Sequence, residues 1–100
     1  MTELSDANFV ETVSGGVWAV DFWAAWCPPC RALAPRLHDW ESQYQQVKWG
    51  KAEVEKCYQA ADRLQVSLLP TIVFFRDGAE IGRLVGSPTD AQIAAVIATA

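Results

Sequence analysis

Basic charge is scarce in this chain: eight Lys and Arg stand against twelve Asp and Glu in 100 residues, for a formal net charge of −4. The basic residues are scattered, so no stripe exists to neutralise phosphates, and nucleic acid is excluded as a partner. Long hydrophobic runs are missing too, none approaching the ~20 residues of a bilayer span, so no membrane partner is expected. The segment from Met1 to Asp6 has neither the basic nor the apolar region of a secretory signal, and a cytoplasmic chain is expected. There is no repeat, linker or low-complexity stretch. Cysteine is sparse and odd in number: three residues, of which Cys27 and Cys30 are separated by only two others. That pattern is wrong for a framework of structural disulfides and points to a chemical use.

What is present is an ordinary globular composition, 51% hydrophobic and 20% charged, in a length that fits one domain spanning residues 1–100. A chain this short buries roughly 60–70% of its unfolded surface, so each large buried side chain matters. Ser5 is read as the cap of a first helix reaching about Val13, with Phe9, Val10 and Val13 as its apolar stripe and Gly15-Gly16 ending it. The apolar run from Val17 to Trp23 is too short for a helix and rich in β-formers, and reads as a central parallel strand covered on both faces. From Pro28 to about Tyr44, Ala32, Leu33, Leu37, Trp40 and Tyr44 recur at helical spacing, with Pro35 expected to kink the helix.

A strand at Val47 to Val54, a short helix near Lys56 to Leu64 and a buried strand at Thr71 to Phe75 follow. Asp77-Gly78 is a hairpin turn signal leading to a partner strand at about Glu80 to Val85. Ser87-Pro88-Thr89-Asp90 reads as cap, first-position proline and first-turn acid of a last helix. The order is α-β-α-β-α-β-β-α, an α/β fold with parallel pairing early and one antiparallel hairpin late.

The chemistry gathers at Trp26-Cys27-Pro28-Pro29-Cys30, where a buried strand hands over to a helix. Cys27 falls at the helix N-terminus, where unpaired N–H groups and the dipole favour negative charge by ~0.3–2 kcal/mol, or about 0.2–1.5 in pKa. A thiol near its usual value of about 8.5 is a few per cent thiolate at neutral pH; lowered by about one, it is roughly a quarter ionised. Such a thiolate attacks a disulfide to give a mixed disulfide, and a second thiol one turn away resolves it. Cys30 is placed for that step. The competing readings are half of a zinc site or an inert core pair. Zinc takes four ligands, and the other candidates are only Cys57 and His38, without ligand-like spacing, so no metal is expected.

At these residues the sequence resembles the thioredoxin family, from Leu4 to the last helix. Asp21-Phe22-Trp23-Ala24-Ala25-Trp26-Cys27 is similar to the family's strand into the active site, and Ala34-Pro35 to its kinked helix. Leu69-Pro70-Thr71 resembles the cis-proline signature, and Val85-Gly86 the glycine that ends the last strand. The resemblance implies a thioredoxin fold, with a central mixed β-sheet flanked by helices, and a catalytic set of Cys27, Cys30, Asp21 and Lys51. In it, Asp21 is the buried carboxylate that helps move the proton of the resolving thiol, with Lys51 near it. An acid in an apolar strand should have a raised pKa on physical grounds alone, although plain strand-end polarity is the simpler account. Pro70 is implied to face Cys27, leaving backbone groups free for a substrate segment, and Trp26, Pro28, Leu69 and Gly86 to form the shallow apolar docking surface. Trp23 is either part of that neighbourhood or plain core.

The sequence departs from the family in three places. Pro28 stands where ordinary thioredoxins have Gly, which removes one N–H near the Cys27 sulfur and stiffens the loop; these effects leave the sign of any change in potential open. The N-terminal segment is so brief that the family's first strand is expected to be short or missing. Cys57 lies where some members carry an extra regulatory cysteine, and also fits a small buried thiol. The implied activity is a protein-disulfide reductase without bound cofactor, monomeric, acting on disulfide-containing proteins and re-reduced by a thioredoxin reductase-type donor. Two alternatives stand beside it: a dedicated reductase for one partner in the cell envelope, where Pro-Pro motifs also occur, and a thioredoxin-fold scaffold or holdase.

Overall fold

Strand β2 (Val17–Trp23) organises the molecule, because its side chains alternate between two apolar layers. In the computed structural model, which describes residues 1–100, Trp18, Val20 and Phe22 pack against Phe9 and Val13 of α1 (Phe9–Val13) and against Ala60 and Ala61 of α3 (Tyr58–Arg63). On the other face Ala19 meets Leu33, Leu37 and Trp40 of α2 (Pro28–Gln43) and Ile93 and Ile97 of α4 (Asp90–Ala98). Each fully buried Leu, Ile or Phe contributes ~1.5–3 kcal/mol, and the helices are held to the sheet mainly by these faces.

The sheet has five strands in the order β1-β3-β2-β4-β5, with β1 at Thr2–Glu3, β3 at Lys48–Glu53, β4 at Thr71–Arg76 and β5 at Ala79–Val85. The first strand is therefore short rather than missing, and it pairs parallel with β3 through Thr2 and Gly50. Gly50 permits the approach: a Cβ there would stand 3.0 Å from Leu4 Cδ1. The central strand is parallel to β3 only; against β4 it runs antiparallel. Its unbroken apolar run signals burial on both faces, and burial is blind to the direction of a neighbour. Asp77 and Gly78 form the expected two-residue turn, both at positive φ (51° and 86°), as that hairpin connection requires.

Two helix starts differ from expectation. Ser5 does not cap α1, which begins at Phe9 after Asn8; the Asn8 side chain instead accepts from the Ser5 N–H at 2.8 Å. Val10, expected on the apolar stripe, is exposed. The last helix begins after Thr89, not Ser87, because Thr89 and Gln92 close a reciprocal capping box. Pro88 is thereby left outside the helix, buried, with its carbonyl accepting from Arg36. Pro35 lies inside α2 on its exposed side, where water can take up the Arg31 carbonyl left without an amide.

Candidate functional site

The parallel strands β2 and β3 end on the same edge of the sheet, and from the end of β2 the chain turns straight into α2. Cys27 is the N-cap of that helix, in an extended conformation (φ −97°, ψ 107°), and its Sγ accepts from the Cys30 N–H at 3.3 Å. The two positions between are prolines and offer no N–H. The helix therefore presents its first free amide to the Cys27 sulfur. Cys27 and Cys30 are joined as a disulfide, with Cα atoms 5.3 Å apart, inside the range a disulfide spans without backbone movement. Both residues are buried in the disulfide form, Cys27 at 5% exposure and Cys30 at 2%.

Around the pair lies an apolar rim. Trp26 is 66% exposed, Pro28 is exposed, and Leu69 packs on the group formed by Ala24, Cys27 and Cys30. Pro70 is buried behind a cis Leu69-Pro70 bond, and its carbonyl accepts from the Gly86 N–H at 2.8 Å, which ties two separate sequence motifs together. The N–H and C=O of Leu69 have no protein partner. Leu68 (64% exposed), next to Leu69, and Val85, paired with Thr71, are further exposed apolar residues whose only signal in the sequence is an apolar residue beside a motif. The Thr71 hydroxyl donates to the Leu68 carbonyl at 2.6 Å and fixes that loop.

Asp21 sits on the α2 side of β2, 2% exposed, with Oδ1 lacking any hydrogen-bond partner. Burial pushes its carboxyl up to about 7, against the opposing pull of the Lys51 charge. Lys51 is directly opposite it in the β2-β3 register but forms no ion pair with it; the ammonium lies over the Trp23 ring, 4.2 Å from the centroid. Trp23 is half-buried and packs against the cysteine pair, so it is part of the site's surroundings rather than of the two main apolar layers. Cys57 is fully buried, its thiol donating to the Leu4 carbonyl at 3.2 Å.

A disulfide that caps a helix, with an amide aimed at the sulfur of its N-cap cysteine and exposed apolar groups around it, defines a thiol-disulfide oxidoreductase. Residues 1–99 match the family model described as Thioredoxin. The chain is 37% identical over 83 residues to a thioredoxin of Chlamydia pneumoniae, covering 83% of this chain and 81% of that one. It is 33% identical over 98 residues to a thioredoxin of Staphylococcus haemolyticus, covering 97% and 94%. In fold it is similar to a Plasmodium falciparum thioredoxin, with a TM-score of 0.90 at 24% identity over the whole of both chains. The chain belongs to the thioredoxin family, and its five-stranded mixed sheet flanked by helices is the thioredoxin fold. Membership makes it a protein-disulfide reductase and implies disulfide-bearing protein substrates and a thioredoxin reductase as donor. No helix is long and apolar enough to cross a membrane.

Proposed function

We propose that this chain is a general dithiol carrier of the cytoplasm, working as a monomer in one domain. Reduced Cys27, as thiolate, attacks a sulfur of a protein disulfide; the old S–S bond breaks and a mixed disulfide forms. Cys30 then gives its proton to Asp21 and attacks Cys27 Sγ; the bond from Cys27 to the substrate breaks, the Cys27-Cys30 disulfide forms, and the two substrate thiolates become a dithiol by taking one proton back from Asp21 and one from water. Two electrons pass to the substrate, and the reductase returns them. The observation that carries this reading is the Cys30 amide on Cys27 Sγ, which stabilises negative charge on the attacking sulfur.

Asp21 suits the proton step because a carboxyl near 7 both takes and gives a proton at neutral pH, and Lys51 tunes it through its charge. The free N–H and C=O of Leu69 are available to pair with an extended substrate segment, while Trp26, Pro28 and Gly86 complete the surface beneath it and the buried Pro70 supports it from below through its cis bond to Leu69. Trapping tests the assignment. Cys30→Ser should accumulate mixed disulfides with many proteins; capture of a single partner would instead favour a dedicated envelope reductase. Retained function in a Cys27→Ser/Cys30→Ser double variant would identify a scaffold.

A further inference from the structure

The geometry points to Trp23 as a positioning residue: its indole holds the Lys51 ammonium off the Asp21 carboxyl and so sets how readily Asp21 exchanges a proton during the redox cycle. Lys51 and Asp21 are direct register partners on one face of the sheet, where opposite charges ordinarily meet. They do not meet here, since Asp21 Oδ1 is buried without a partner. The ammonium has gone to the diagonal neighbour, 4.2 Å from the Trp23 ring centroid, an attraction of charge to the ring's negative face. Trp23 in turn packs on Ala24, Cys27 and Cys30, so the site itself fixes the ring.

The surroundings leave Lys51 as the charge that matters. It lies in a shallow hollow with Glu3, Glu53 and Lys56, at the edge of water. On Asp21's other flank, β4 supplies Ile72. From the first turns of α2 come Cys27 and Cys30, while Arg31 donates away to the Ala25 carbonyl; α4 buries Ile93 and Ile97 on this side. Burial and Lys51 are the two influences on the carboxyl, and they act in opposite directions.

Losing the ring frees Lys51 to approach Asp21, which favours the carboxylate. In the oxidised protein, followed by carboxyl carbon NMR, Trp23→Leu should lower the Asp21 titration midpoint by about 0.5–1.5. Trp23→Phe, with a weaker ring face, should lower it by less. Removing Trp23 also admits water, which alone would lower the midpoint, so both substitutions are repeated in Lys51→Met. There the effect of changing Trp23 should shrink to the part that water alone supplies. A midpoint that does not move in Trp23→Leu or Trp23→Phe, or that falls equally with and without Lys51, overturns the inference. The inference rests on Asp21 as proton carrier, and that reading is tested apart from it. If the midpoint moves as stated while the pH profile of disulfide reduction stays fixed, the carrier role fails and the positioning by Trp23 stands.

Discussion

The amide of Cys30 reaches the sulfur of Cys27 at 3.3 Å, and it is the first N–H that α2 has to offer. A capping side chain ordinarily draws on the second and third residues of its helix, and here the second is Pro29. Restoring that amide with Pro29→Ala should stabilise the thiolate by one hydrogen bond, ~0.5–1.5 kcal/mol, lowering the alkylation pKa of Cys27 by about 0.4–1. Pro28→Gly, one position earlier, should do less. Iodoacetamide rates against pH measure both, and a larger effect at Pro28 would contradict the geometry.

Asp21 links the site to stability. Its carboxyl is raised from 3.8 to about 7 by burial, so the folded state keeps a proton that the unfolded chain has lost over that interval. Stability should therefore fall as pH climbs from about 4 to about 7 and level off above, where both states are ionised. Asp21→Asn removes the decline and should add stability of the order of 4 kcal/mol at about pH 8, with little gain near pH 4. Urea unfolding at the two pH values checks the sign. A parallel pH dependence in both proteins would falsify the buried-carboxyl account.

Cys57 should behave as an inert thiol. Burial, reinforced by the charges of Asp6 and Glu53 and opposed by Lys56, pushes it up to about 11, and its sulfur faces the Leu4 carbonyl. Native reduced protein should leave Cys57 unmodified by a neutral alkylating agent at about pH 8, with reaction only after unfolding. Mass spectrometry of the labelled protein reads this directly. Fast labelling in the folded state would restore the regulatory reading.

Asp6 does for α3 what Cys57, its cap residue, does not. The two carboxylate oxygens accept from Gln59 N–H and Ala60 N–H at 2.9 and 3.0 Å, the amides a cap normally serves. Asp6→Ala should cost ~1–2 kcal/mol, and Asp6→Asn should recover part of it. Thermal unfolding of both variants decides whether the contact matters in solution.

Much of this was legible because local chemistry and fold agree. The strand Val17 to Trp23, the helix from Pro28, the Asp77-Gly78 hairpin and the cysteine pair each carry a signal contained within a few residues. What escaped the sequence depends on residues far apart. Ser5 looked like a cap, and Asn8 does answer its N–H as Gln92 answers that of Thr89, but only the Thr89 hydroxyl accepts an amide in return; the Ser5 hydroxyl takes none, and the helix begins later, at Phe9. The direction of β4 against β2 follows from how the chain returns after α3, which composition does not encode. Lys51 was placed beside Asp21 and stands opposite it, yet its ammonium prefers the Trp23 ring; only coordinates distinguish backbone register from side-chain destination. Leu68 stands exposed with its carbonyl held by the Thr71 hydroxyl, a constraint invisible in a run of two leucines.

The Asp6 contact also imposes a schedule on the nascent polypeptide. Helix α3 is six residues long, too brief to persist by itself, and the carboxylate that starts it was translated 53 positions before Gln59. Because synthesis proceeds from the amino end, the anchor is always waiting when the helix emerges from the ribosome. A circular permutant that moved Asp6 to the carboxyl end would reverse that timetable while leaving its carboxylate able to reach Gln59 and Ala60 in the folded protein.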